Sequence, residues 1–145
     1  MLSGLFVLSA TCDNQMKVFA DGVHLGSNNN WKETTHVTIP ADTGVITIEC
    51  YDHGVAGGII ASGSNGLVTD ASWKCGTTRT LSSGWNRAFL VGPHGRIPWG
   101  KRPGIAANAN WIWDSARTWN SGKVQRVSCY KNLGNKGWTK KNWCF

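Results

Sequence analysis

Proline is scarce in this chain, with four residues in 145, and long apolar runs are missing altogether. No stretch approaches the roughly 20 apolar residues of a transmembrane helix, and Leu5–Leu8 is too short and too poorly flanked for an intact signal peptide. No C-x-x-C pair occurs and no cysteine stands beside a histidine at zinc spacing, which sets a structural zinc aside. The four histidines (His24, His36, His53, His94) form no H-E-x-x-H, and Ala61–Gly66 does not supply the G-x-S-x-G of a nucleophile elbow. None of the twelve asparagines opens an N-x-[ST] sequon. No D-x-D-x-D-G calcium loop occurs either; Asp13, Asp21 and Asp52 are the acids left for a Ca²⁺ ion, and the expectation is no cofactor. Acids are few, eight in all, and only Asp114 lies beyond residue 72. Internal repeats and low-complexity segments are lacking.

What is present is glycine, 18 residues of it, dividing short β-branched and apolar clusters. That texture favours many short strands over long helices. The length suits one domain, able to bury roughly 68–70% of its unfolded surface. Residues 4–20 read as one long strand, or as two interrupted near Asp13-Asn14, and Asp21-Gly22 supplies a tight hairpin turn. Thr35–Ile39 alternates. Val45–Tyr51 is the clearest strand, with Ile46, Ile48 and Cys50 on one face and Thr47, Glu49 and Tyr51 on the other. Gly54–Ser62, Leu67–Thr69, Ala107–Trp113 and Lys123–Lys131 complete the pattern, while Lys74 to about Gly104 loses periodicity, as functional or mobile loops do. Eight to ten such strands imply a sandwich or jelly roll over residues 1–133, followed by a basic Trp- and Lys-rich tail at 134–145.

Five cysteines at 12, 50, 75, 129 and 144 suit disulfides and hence an extracellular, oxidising location. Fifteen frameworks with two bridges are open; the favoured one is Cys12–Cys50 with Cys75–Cys129, leaving Cys144 for an intermolecular bond. Charge is segregated: residues 1–72 carry a net −5 and residues 73–145 a net +12. Such a split predicts a surface that attracts anionic polymers or stacks copies of itself.

Tryptophan is abundant, nine residues. Trp73 and one of Trp111 or Trp113 are expected in the core. Trp31, Trp85, Trp99, Trp119, Trp138 and Trp143 lie among Gly, Asn and Arg, where a buried indole would lack neighbours. A flat ring edged by amides and charges suits the apolar face of a sugar. The candidate ligand-binding set is therefore Asn30, Trp31, Trp85, Asn86, Arg87, Arg96 and Trp99. Aromatic and basic residues together also stack on single-stranded nucleic acid, but no RNP, KH or zinc-knuckle signature accompanies them and disulfides argue for the cell exterior. Glycoside hydrolysis needs two facing carboxylates, and Glu33, Asp42 and Asp70 read as loop solvation, with Glu49 on a strand's outward face. Asp52-His53 follows a strand as a turn would. No catalytic residue is assigned.

Ala10–Gly26 (ATCDNQMKVFADGVHLG), followed by Asn30-Trp31, resembles the opening of galactose-binding-domain-like jelly rolls, the accessory domains of bacterial α-L-rhamnosidases and related glycosidases. Residues 45–75, including GVAGGIIASGSNGLVTDASWKC, and Pro98–Gly100 through Trp111–Trp113 to Cys129-Tyr130-Lys131 are similar to extracellular domains of marine invertebrates. An F-D-D-S-x-W segment usual in the latter is replaced here by Asn86–Gly95. The resemblance implies an all-β galactose-binding-domain-like jelly roll whose loop ends hold sugars. The expectation is thus a secreted lectin-like module binding a glycan or anionic polysaccharide. The alternative is a self-assembling or matrix-associated structural protein, resting on the charge split, Cys144 and the cationic tail.

Overall fold

The computed structural model describes residues 4–134. Eleven strands, β1 (Phe6–Asp13), β2 (Gln15–Ala20), β3 (Val23–Asn28), β4 (Thr35–Ile39), β5 (Val45–Asp52), β6 (Gly58–Gly63), β7 (Lys74–Gly76), β8 (Asn86–Arg87), β9 (Phe89–Pro93), β10 (Asn110–Trp113) and β11 (Gln125–Asn132), form two sheets. One sheet has the order β4-β1-β6-β10-β9, the other β3-β2-β5-β11-β7-β8, and every pairing is antiparallel. The protein is an all-β sandwich. No helix of the described residues is long and apolar enough to cross a membrane. The tail with Trp138, Trp143 and Cys144 lies outside the described residues.

The interruption expected near Asp13-Asn14 is the corner where the chain leaves the five-stranded sheet for the six-stranded one. Asp21 and Gly22 then take positive φ (49° and 81°) and join β2 to β3, with Ala20 paired to Val23. The twist of a two-residue hairpin demands that left-handed pair. The Asp21 carboxylate also accepts the Val45 and Gly44 N–H groups at 2.9 and 3.1 Å, tying the hairpin to the start of β5. It is thus spent on the backbone, and among the described residues no cluster of three or more metal-ligating side chains exists.

Alternation sorts each strand. Phe6, Leu8, Ala10 and Cys12 of β1 and Ile46, Ile48 and Cys50 of β5 are buried between the sheets, with Ile39, Ile59, Ile112 and Val127 beside them. The Cys12–Cys50 disulfide joins the sheets through this core, and Cys75–Cys129 joins the paired strands β7 and β11. Trp73 is fully buried, its Nε1 donating to the Val68 carbonyl at 2.9 Å.

A second packed layer covers the outer face of the five-stranded sheet. Trp111 and Trp113 point there, opposite in direction to Ile112, and both are 0% exposed, not one of the two as expected. Trp99 lies flat on Trp111 with ring centroids 4.2 Å apart, and Trp119 leans on Trp99 at 6.3 Å. Glycine makes room: a Cβ on Gly57 would stand 2.4 Å from Trp113, and one on Gly58 2.8 Å from Trp99. Segments 94–109 and 114–124, which carry Trp99 and Trp119, lie over this layer.

Candidate functional site

The tryptophan-centred set does not assemble into a site. Trp99, expected on an open loop, is 1% exposed and donates from Nε1 to Asp13 Oδ2 at 2.9 Å. Its indole finds neighbours because β1, β6 and β10 present Asp13, Gly58 and Trp111 on one outer face. Trp31 is half-buried; Arg102 and Lys32 sit over its ring at 5.0 and 5.6 Å. Asn30 closes a turn, its Oδ1 accepting the Lys32 N–H. Arg96 covers Trp119 at 4.9 Å. The chain's own cations therefore stand over the Trp31 and Trp119 rings. Trp85, Asn86 and Arg87 belong to the other sheet: Trp85 rests on Gly76 and Tyr130 and donates from Nε1 to Thr78 Oγ1, while Asn86 and Arg87 form the edge strand β8.

A different surface has the properties of a binding site. On the outer face of the six-stranded sheet, β2, β5 and β11 lie side by side, with Gln15 opposite Tyr51 and Tyr51 opposite Arg126. One step along, Ser27, Lys17, Glu49 and Ser128 form the neighbouring row. Successive strands stand roughly 4.8 Å apart, so these two rows set polar side chains beside one another across the sheet's face. Arg79, from the loop after β7, and Asn29, after β3, complete the walls of a cavity of about 360 Å³. That is within the roughly 300–1,000 Å³ of small-ligand sites.

Glu49 is the notable member. It is 9% exposed, yet its Oε2 has no hydrogen-bond donor among the described residues. Arg126 Nε is its ion-pair partner at 3.7 Å, beyond hydrogen-bonding reach. A buried acceptor left unsatisfied costs about 1–3 kcal/mol, so this carboxylate is a poor choice for stability. Tyr51, 41% exposed, stands one row away with an apolar ring face and a hydroxyl. His53 meets the edge of that ring, 5.0 Å between centroids.

Outward alternation in Val45–Tyr51 already placed Glu49 and Tyr51 on one face. What the strand alone cannot disclose is that β5 is central, flanked by β2 and β11. Flanking strands bury the middle of that face, so the carboxylate placed on the strand's outward face is enclosed.

No family model matches this chain, and no curated protein or solved structure matches it significantly.

Proposed function

We propose that this chain is an extracellular glycan-binding module of the galactose-binding jelly-roll kind, holding a saccharide in the groove above Glu49. The observation that carries the reading is the enclosed Glu49 Oε2, without a donor, beside the exposed Tyr51 ring. A saccharide supplies both missing halves: hydroxyl donors for the carboxylate and a C–H face for the aromatic ring. Gln15, Asn29 and Ser27 add amide and hydroxyl groups that can donate or accept.

Binding without turnover is favoured because Glu49 is the one acid among the described residues that line the groove, whereas glycoside hydrolysis takes two facing carboxylates. The jelly-roll likeness draws on a chain that passes repeatedly between sheets, β1 and β4 in one, β2, β3 and β5 in the other. Two disulfides fit an oxidising exterior.

A glycan array followed by calorimetry on its best oligosaccharide tests the reading. Glu49→Gln, which keeps the shape and removes the charge, is expected to weaken binding by about tenfold or more, since hydrogen bonds to a charged group are worth about 1.5–3 kcal/mol. Tyr51→Ala should weaken it comparably. Unchanged affinity in both variants overturns the assignment of the groove.

A further inference from the structure

Charge around the groove is unbalanced. Lys17, Arg79 and Arg126 line it against the single acid Glu49. Apart from the 3.7 Å ion pair between Arg126 and Glu49, the side chains of these three cations make no hydrogen bond or ion pair with the described residues. Arg126 is only partly exposed, 26% of its side chain. Its guanidinium lines the groove and makes no hydrogen bond with the described residues. A neutral sugar would engage Glu49 and still leave a surplus of positive charge in a partly enclosed space. A ligand carrying a carboxylate or sulfate would neutralise it, and guanidinium groups pair with such planar or tetrahedral oxyanions through two parallel N–H bonds.

We propose that the groove selects an acidic saccharide, a pyranose with an anionic substituent. Its ring hydroxyls donate to Glu49, one apolar face lies on Tyr51, and its anionic group is held by Arg126 and Arg79 with Lys17 on the opposite wall. The register supports this division. Arg126 and Tyr51 are directly paired across β11 and β5, while Glu49 is two residues back on the same face of β5, paired with Lys17. Acceptor and cation thus share one face of the sheet, with Arg126 Nε 3.7 Å from Glu49 Oε2. This inference rests on the glycan-binding reading above and adds the charge class of the ligand.

The experiment compares matched pairs by calorimetry: an oligogalacturonate against its methyl ester, and a heparin-derived tetrasaccharide against the same tetrasaccharide desulfated. The acidic member of at least one pair should bind about tenfold tighter, equivalent to ~1.4 kcal/mol, and the advantage should shrink with added salt. The pair that shows the preference identifies the group as carboxylate or sulfate. The Arg79→Gln/Arg126→Gln double variant should lose the preference while retaining weak binding of the neutral member. Equal binding within both pairs overturns the acidic-ligand inference and leaves the glycan-binding reading standing. A preference that persists in the double variant assigns the attraction to the basic C-terminal half at large and overturns the site. Absence of binding by every member, with the wild-type protein also inert on a glycan array, defeats both readings.

Discussion

Trp99→Phe separates a ring that seals the outer layer from a ring on an open loop. The substitution removes the Nε1 donor from Asp13, whose side chain is 7% exposed, and leaves that carboxylate without its 2.9 Å partner. An unsatisfied buried acceptor costs about 1–3 kcal/mol. Trimming the indole to a phenyl ring also thins the 4.2 Å stack on Trp111, and aromatic pairs of this kind contribute about 0.5–1.5 kcal/mol. The sum is about 2–4 kcal/mol, a large share of a domain's usual 5–15 kcal/mol. For a chain of this length each kcal/mol moves Tm by about 3 °C, so the expected drop is about 6–12 °C. Urea unfolding with the disulfides intact measures it. Pairing the change with Asp13→Asn completes a double-mutant cycle, and a positive coupling is expected because Asn removes the charge that Trp99 solvates. A loss within about 0.5 kcal/mol, the range for surface changes, would refute the reasoning.

Asp13 predicts a pH dependence. Burial raises its carboxyl above the ordinary value of 3.8, the Trp99 hydrogen bond opposes that rise, Asp52 adds to it and His53 again opposes it. The stability linked to a raised acid is complete below the unfolded value and is lost as pH climbs through the folded one. Asp13→Asn should therefore gain on the wild type between about pH 4 and neutrality, and a difference that stays constant across urea titrations in that window would contradict this. Replacing Cys12 and Cys50 by Ser opens a loop spanning 38 residues, and the chain-entropy relation gives a loss of about 4 kcal/mol, measurable by thermal unfolding. Gly57→Ala would put a methyl 2.4 Å from the fully buried Trp113. Overpacking of that kind costs about 1–3 kcal/mol, and an unaltered Tm would show that the aromatic layer yields easily.

Much of the sandwich was legible from local chemistry. Alternation in Val45–Tyr51, the Asp21-Gly22 turn and the break near Asp13-Asn14 each follow from residues within a few positions of one another, and the structure has all three. Both favoured disulfides are formed. Trp99, and the burial of both Trp111 and Trp113, departed from expectation for a physical reason. Whether an indole is buried depends on what faces it across the sheet, and the Gly57-Gly58 pair that admits Trp113 and Trp99 lies more than forty residues earlier in the chain than either ring. Local polarity around Trp99 reported on its loop, not on the sheet beneath. Glu49 was hidden by the same rule in reverse, since its enclosure comes from β2 and β11 on either side. Strand order is a long-range property, and neither composition nor periodicity encodes it.

Chemical-shift mapping by NMR with the oligosaccharide that binds best is the most direct test of where this protein recognises its ligand. Amide signals of Gln15, Lys17, Glu49, Tyr51 and Arg126 should move together in a saturable titration. Shifts confined to the Trp31, Arg96 and Trp119 surface, with those five signals unmoved, would contradict the account.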